Sequence, residues 1–342
     1  MSERRALGSE PQRIHWLYRS YGGPNVKSAE EFVAKVNEVY YRTWASEYVE
    51  RHVADIHSEY RRLASQVSDL TSGETTVVNI GGGAGFELEL AADLGWRWKD
   101  FVLIEPAAAM RASATELAAR IDQPVTILAG GVEILEKALA PSQGPRLFWI
   151  NSAVHHVVWF QAFFEELGHS MRPGDRLLIG HEPRNEFARS PWFLGLATVS
   201  SIRRMRRRLI SAGDNNRQDA DRWMRTLNAL DEAGVTHGKV PPLAVRRIVD
   251  YGVGVKRDVG RLGLKSRDDE GFWTLADLRA ALTIQTSIEY SSSYRHFGDA
   301  GDSAIVHALN RLAKRVAPGS GSQFLALLVV ETCSVDNAPG AV

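Results

Sequence analysis

The sequence predicts an α/β fold: a doubly wound, mostly parallel sheet of seven strands, with helices before it and a helical insertion after the fifth strand. First, short apolar segments alternate with helical ones from Thr75 onward, as in a parallel sheet covered on both faces. Second, a glycine-rich turn connects the first strand directly to a helix, which is typical of a nucleotide-binding βα unit. Third, the chain before Thr75 has helical periodicity and no strand signal.

The N-terminal segment, residues 1–73, is predicted to be helical. Apolar and aromatic side chains recur at helical spacing from Ser28 to Val67. Ser28 with Glu31 three positions later matches a capping box that begins a helix. The residues Thr71-Ser72-Gly73 end the segment.

Residues 74–183 are predicted to be the Rossmann-like core, because strands and helices alternate there without interruption. The predicted strands are Thr75–Ile80, Asp100–Glu105, Val125–Leu128, Arg146–Ile150 and Arg176–His181. The predicted helices are Phe86–Leu94, Ala107–Arg120, Val132–Ala140 and Trp159–Met171.

The alternation stops after His181 and returns near the C-terminus. Residues 184–272 are predicted as a helical insertion that ends in a glycine-rich, charged loop, residues 252–271. Its predicted helices are Pro191–Ile210, Asp219–Glu232 and Pro241–Tyr251. Residues 273–342 are predicted to complete the core sheet. They contain predicted helices at Leu275–Leu282 and Ser303–Val316 and strands at Ser287–Tyr294 and Phe324–Glu331.

The composition bounds the compartment and the partners. Lysine plus arginine equal aspartate plus glutamate at 41 each, so no overall charge indicates nucleic acid or a membrane as partner. The single cysteine, Cys333, excludes an internal disulfide framework and a zinc site built from cysteines. The sequence has no apolar segment of a secretory signal and no uncharged run long enough to cross a bilayer. We therefore expect a cytoplasmic protein.

The glycine turn carries the first functional signal. Its spacing is G-x-G-x-G, with glycines at Gly81, Gly83 and Gly85. A dinucleotide site needs G-x-G-x-x-G, and the residues at the required positions are Phe86 and Glu87. This spacing therefore disfavours a nicotinamide-dependent oxidoreductase.

Four segments in order resemble class I S-adenosylmethionine-dependent methyltransferases. TTVVNIGGGAGFELEL is similar to the family's motif I, and Ile104-Glu105-Pro106 is similar to its acidic second-strand end. LFWINSAVHHV resembles the fourth-strand motif with its paired histidines, and MRPGDRLLIGHEPR resembles the turn and fifth strand.

The resemblance implies S-adenosylmethionine as cofactor, with Glu105 accepting hydrogen bonds from the ribose hydroxyls. The residues that it implies for cofactor binding are Asn79, Gly81, Gly82, Gly83, Gly85, Glu105, Pro106, Gly131, Val132, Asn151 and Ser152. The chain departs from the family pattern where Asn79 and Asn151 stand in place of acidic residues. It also lacks the acid that often follows the third strand, where backbone groups or Glu133 would serve instead.

Catalytic and substrate residues are predicted at the carboxyl ends of the fourth and fifth strands, because ligands of open α/β sheets bind there. His155, His156 and Glu182 are candidates for catalysis, with an imidazole as general base. Arg184, His181 and Tyr21 are candidates for substrate binding. Capping or packing by the histidines, and an ordinary Glu182–Arg184 salt bridge, are the alternatives.

No metal is expected, because H-E-x-x-H is absent and the histidines lack an acidic partner at ligand spacing.

The flanking segments have two interpretations each. The aromatic residues Tyr18, Tyr21, Tyr40, Tyr41 and Trp44 either form a lid, as the resemblance implies for the N-terminal helices, or are core. The basic run Arg203–Arg208 either recruits an anionic partner or is a solvated helix face. The loop 252–271 is either a closing flap or a surface loop.

The predicted function is methyl transfer from S-adenosylmethionine to the oxygen or nitrogen of a small molecule, in bacterial specialised metabolism. A methyltransferase acting on a peptide or RNA, and a non-catalytic scaffold, remain alternatives. The sequence does not determine the oligomeric state and is compatible with a homodimer.

Overall fold

A computed structural model describes residues 11–139, 143–183, 214–251, 273–294, 304–316 and 323–331. The predicted helix Pro191–Ile210, the basic run Arg203–Arg208, Arg184 and the loop 252–271 lie outside these described residues.

The core is one seven-stranded sheet in the order β3-β2-β1-β4-β5-β7-β6. Its strands are β1 (Thr76–Ile80), β2 (Asp100–Ile104), β3 (Val125–Leu128), β4 (Arg146–Asn151), β5 (Arg176–Pro183), β6 (Thr286–Tyr294) and β7 (Gln323–Val330). The first five strands are parallel, and β7 runs antiparallel to both of its neighbours. This confirms the predicted doubly wound, mostly parallel sheet. The strand order reverses between β1 and β4, and the crevice for a ligand lies at such a switch point.

Helices surround this sheet and extend beyond its carboxyl edge. They are α1 (Gln12–Tyr21), α2 (Ala29–Ala64), α3 (Phe86–Asp93), α4 (Ala108–Ala118), α5 (Leu135–Leu139), α6 (Phe160–Ser170), α7 (Asp214–Glu232), α8 (Pro242–Val249), α9 (Leu275–Ala281) and α10 (Ala304–Val316). None of the helices in the described ranges combines the length and apolarity that a membrane crossing requires.

The two faces of the sheet bury alternate residues of the same strands. On β1, Val78 and Ile80 pack with α5, α6 and α9, whereas Val77 packs on the other face with α3 and α4. All five β1 residues are buried, as the central strand of a parallel sheet requires. This is why the central strands β1, β2 and β4 are mainly apolar, whereas the edge strand β6 is largely polar and exposed.

A third apolar cluster joins segments that are far apart in the sequence. Ile14, Phe32 and Val36 from α1 and α2 pack against Leu230 and Val245 from α7 and α8. The N-terminal helices and the insertion therefore share one helical layer.

The entry to α2 differs from the prediction in one detail. The Ser28 hydroxyl accepts the Glu31 amide at 3.2 Å, as a capping box requires. The Glu31 carboxylate, however, accepts the Lys27 amide at 2.8 Å and pairs with Lys35. Only the first half of the predicted capping box is formed, because Lys27 and Lys35 take the carboxylate that would otherwise accept the Ser28 amide.

The predicted helix Val132–Ala140 is broken. It consists of a 3-10 turn at Val132–Ile134 followed by α5.

A buried ion pair joins the amino ends of β4 and β5, at the edge opposite the glycine turn. The Arg146 side chain contacts both oxygens of Asp175, and the two side chains are 4% and 6% exposed. Asp175 also accepts the Arg172 amide at 2.7 Å.

We expect Asp175→Ala to lower the free energy of unfolding by about 3–5 kcal/mol, because it leaves a buried guanidinium without a partner. Glu289→Ala is the control, since it breaks the half-exposed Arg176–Glu289 pair and is expected to cost about 1 kcal/mol or less. Urea unfolding measures both values. Equal losses in the two variants would contradict the buried pair's importance.

Candidate active site

The glycine turn bends the chain immediately after β1. Gly81, Gly83 and Gly85 have φ angles of 69°, 53° and 94°, which favour glycine because a side chain is strained there. A Cβ on Gly82 would lie 2.2 Å from Asn79 Oδ1. Gly81, Gly82 and Gly83 line a cavity. Gly85 instead lies against Leu117 on α4, where a Cβ would approach to 2.8 Å.

Glu105 is held beside this turn by two backbone amides. Its Oε2 accepts the Gly83 amide at 3.0 Å and its Oε1 accepts the Ala107 amide at 2.8 Å. Burial raises the pKa of Glu105, and the two amides and Arg111 oppose that rise. The side chain lines the cavity with Pro106. Each carboxylate oxygen can still accept a further hydrogen bond from a ligand hydroxyl.

The cavity has a volume of about 870 Å³ and lies between the carboxyl edge of the sheet and α2. One wall is formed by the glycine turn, the residues that follow β2, and α4 with the residues just after it, from Met110 to Arg120. The opposite wall is formed by the first turns of α2, from Ala34 to Tyr41. Asn151, Ser152 and His156 lie between the two walls.

Glu87 is a residue of this cavity that the sequence analysis did not select. It is buried in the first turn of α3 and accepts a hydrogen bond from Asn151 Nδ2 at 2.6 Å. Burial raises the pKa of Glu87 to about 7; hydrogen bonds from Asn151 and Asn79 oppose the rise, and the charge of Glu105 adds to it. The signal in the sequence is that two asparagines replace acids while an acid follows the glycine turn.

Glu182 does not line the cavity but holds the turn after β4. Its carboxylate is fully buried and accepts the amides of Ala153, Val154 and His155 at 2.6, 2.7 and 3.1 Å. It also accepts His155 Nδ1 at 2.9 Å. Four donors leave this carboxylate little capacity for a substrate. The geometry favours a positioning role over the predicted catalytic one.

The two adjacent histidines have different environments. Burial alone would lower the pKa of His155, but the charge and hydrogen bond of Glu182, with the charge of Asp250, raise it overall. A carboxylate only accepts, so His155 Nδ1 carries a proton. His155 Nδ1 therefore donates to Glu182, and this contact holds the ring in place rather than leaving it available as a base. Its side chain is 12% exposed.

His156 faces the cavity with a defined tautomer. Its Nδ1 contacts the Val249 carbonyl oxygen, which can only accept, so the proton is on Nδ1. Its Nε2 then has the lone pair and accepts the Tyr41 hydroxyl at 3.0 Å. His156 is thus the imidazole of the pair that presents an acceptor nitrogen at the cavity wall.

The remaining predicted residues are distributed between the cavity and the core. Ser152 and Gly131 line the cavity, and Ser152 has a positive φ of 53°. Val132 packs against the sheet core. His181 is buried and bonded to Tyr294 at 2.8 Å, and Tyr21 packs edge-on against Trp16. Neither is brought to the cavity wall.

Most of the aromatic lid candidates are packing residues. Tyr40 stacks on Trp44 at 4.9 Å, and both rings contact Trp223 of α7. Tyr18 packs against Phe32. Tyr41 is the member of the set that lines the cavity.

The paired histidines do have acidic neighbours, so the sequence argument that they lack one is wrong. Ligand atoms of His155, His156 and Asp250 lie within 4.8 Å of one another, and Glu182 contacts His155. Because the two nitrogens of His156 contact Val249 and Tyr41, a cation there would have to displace one of these partners. The expectation of no metal stays a prediction.

No family model and no curated protein sequence matches the chain. Several solved structures, however, are similar to the chain. An S-adenosylmethionine-dependent methyltransferase from Anabaena variabilis is 10% identical, with 90% of this chain and 97% of that one covered at a TM-score of 0.47.

Two further methyltransferase structures are similar. One from Mesorhizobium loti is 14% identical, with 80% of this chain and 99% of that one covered at a TM-score of 0.41. The third is the plantazolicin methyltransferase BpumL in complex with a pentazolic desmethylPZN analog and S-adenosylhomocysteine. It is 13% identical, and the match covers 94% of this chain and 100% of that one at a TM-score of 0.42. At these identities the likeness concerns the fold.

The raised pKa of Glu87 predicts a pH-dependent stability. The carboxyl is protonated in both states at low pH, but the unfolded chain loses the proton near the ordinary value of 4.5 and the folded chain near 7. Stability is therefore lost as the pH rises through this window. We expect Glu87→Gln to remove that loss, which is on the order of 3 kcal/mol. Urea unfolding between about pH 5 and about pH 8 measures it.

Asp93→Asn is the control for this pH dependence, because Asp93 is on the same helix but exposed and paired with Arg61. The control should keep the wild-type pH profile. A Glu87→Gln profile parallel to wild type would show that the carboxyl does not titrate in this range.

Proposed function

We propose that this protein transfers a methyl group from S-adenosylmethionine to an oxygen or nitrogen of a small molecule bound beneath α2. The observation that carries the proposal is the cavity itself, in which the glycine turn and the amide-held Glu105 occupy one end and His156 another. A cytoplasmic location remains part of the prediction.

The donor end is suited to an adenosyl group. Glu105 is fixed by the amides of Gly83 and Ala107, and it faces the cavity as an acceptor for two ribose hydroxyls. The glycine turn has G-x-G-x-G spacing and is occupied on one side by Glu105. A carboxylate so close to the Gly83 amide would repel a pyrophosphate, which supports an adenosyl amino acid over a dinucleotide.

The acceptor end supplies a base. The methyl group of a sulfonium is already activated, so the protein's work is to align the acceptor, exclude water and remove a proton where the acceptor has one. His156 Nε2 presents a lone pair at the cavity wall, and an acceptor O–H or N–H can replace the Tyr41 hydroxyl there. The Val249 carbonyl and the Glu182-held turn keep the ring in place.

The size of the cavity supports a small molecule as acceptor. About 870 Å³ lies toward the upper end of the range of about 300–1,000 Å³ typical of small-molecule sites. The donor and a modest acceptor can share such a volume. The helical layer of α1, α2, α7 and α8 lies over this end of the sheet, which favours an enclosed acceptor over a bound RNA.

Titration calorimetry with S-adenosylhomocysteine tests the donor site. We expect the wild type to bind it and not to bind NADH, and Glu105→Ala to weaken binding by about 1–3 kcal/mol through lost hydrogen bonds to a charged group. Asp100→Ala, at the amino end of the same strand, is the control and should bind as wild type does. If the wild-type protein binds NADH but does not bind S-adenosylhomocysteine, the proposal is wrong.

The base is tested with an acceptor identified by screening for transfer of a radiolabelled methyl group. We expect His156→Gln to lower kcat by about 10²–10⁴-fold, the usual contribution of a general base, without changing the affinity for S-adenosylhomocysteine. His237→Gln, an exposed histidine bonded to the Gly22 carbonyl, is the control. A His156→Gln enzyme with wild-type kcat would rule out this base.

A further inference from the structure

The carboxylate of Glu87 lies in the cavity wall and has no cationic partner within the described part of the chain. The groups that act on its charge are its own backbone amide, the side-chain amides of Asn151 and Asn79, and the second carboxylate Glu105. Among the described residues none of these is a lysine, arginine or histidine. A buried carboxylate in that state is costly unless something positive neutralises it. The cavity is the side from which such a group can arrive.

Asn151 adds a second unused acceptor at the same place. Its Nδ2 donates to Glu87 at 2.6 Å, and because a carboxylate accepts, the amide oxygen must face away from Glu87. That Oδ1 is buried and accepts no hydrogen bond from the described residues. Asn151 lines the cavity and is 5% exposed. A buried acceptor of this kind is satisfied by a donor that enters the cavity, from water or from a ligand.

Two acceptors and no donor define the chemistry of the missing partner. A hydroxyl can satisfy one acceptor but leaves the carboxylate's charge uncompensated. A primary ammonium has three N–H donors and a positive charge, so it satisfies Glu87 and Asn151 together. A carboxylate or phosphate placed against Glu87 would be repelled by Glu87 and Glu105, so in an amino acid the ammonium faces Glu87 and the carboxylate points away from it.

The position agrees with the amino acid part of the donor. Glu87 is on α3 and Asn151 ends β4, so both lie at the crevice between β1 and β4, whereas Glu105 ends β2. A donor with its ribose on Glu105 therefore extends across the glycine turn toward Glu87. Asn79 and Asn151 are neutral, and Glu87 is the described acid that contacts Asn151 there.

We propose that Glu87 and Asn151 form the subsite for the primary ammonium group of the donor's amino acid part. This inference rests on the proposed function, since it takes S-adenosylmethionine as the donor.

The experiment compares S-adenosylhomocysteine with 5′-methylthioadenosine, which lacks the amino acid part. Calorimetry is done at about pH 8, where the Glu87 carboxyl is ionised. We expect Glu87→Gln to weaken the binding of S-adenosylhomocysteine by about 10- to 100-fold, which is the scale of a lost hydrogen bond to a charged group. The affinity for methylthioadenosine should stay unchanged. Asn151→Ala should act in the same direction. The matched control is Asp93→Asn, with the same charge change on the same helix.

The outcomes separate this inference from the function. If neither nucleoside binds the wild type, the proposed function and the subsite fall together. If both bind but Glu87→Gln keeps the wild-type affinity for S-adenosylhomocysteine, or weakens both nucleosides equally, the ammonium subsite is wrong and the donor site stands. A much larger loss for S-adenosylmethionine than for S-adenosylhomocysteine would assign Glu87 to the sulfonium instead. Retained methylthioadenosine binding shows that each variant is folded.

Discussion

A buried parallel strand that ends against a cavity leaves its next backbone amides in need of acceptors. Within five residues after β1, one of these amides finds a carboxylate and the chain enters a helix. The left-handed backbone at Gly81 and Gly83 brings the Gly83 amide to Glu105, while Gly85 begins α3. Because the methyl group of Ala84 is the only side chain of this bend, the crevice above it stays open. The orientation of Glu105 and the entry of α3, which carries Glu87, depend on this bend.

Three buried carboxylates at this edge of the sheet differ in how many donors surround them. Glu182 has four donors, including His155, and therefore holds the chain in place. Glu105 has two amide donors and is fixed in direction, with lone pairs left for a ligand. Glu87 has amide donors but no cation among the described residues, and burial raises its pKa to about 7. In a medium of low dielectric constant, this difference in partners is the basis on which we propose a structural role for Glu182 and binding roles for Glu105 and Glu87.

The acceptor side of the cavity depends on packing between distant segments. His156 follows β4, yet its two ring nitrogens contact Tyr41 of α2 and the carbonyl of Val249 at the end of α8. These helices meet because α1, α2, α7 and α8 bury one apolar cluster. The helical layer thus both covers the cavity and sets which nitrogen of His156 carries the proton. A carbonyl can make this choice because it only accepts.

The sequence by itself determined the strands, the mostly parallel sheet and the glycine turn, since apolar periodicity and glycine positions are local properties of the chain. It also selected Glu105, Asn151 and His156, which follow strands whose carboxyl ends meet at one edge. Only the tertiary structure decided that Glu182 is enclosed by amides, that His156 lines the cavity with its Nε2 beside the Tyr41 hydroxyl, and that Glu87 faces the cavity. These outcomes depend on burial and on partners far away in the chain, which spacing along a sequence does not encode.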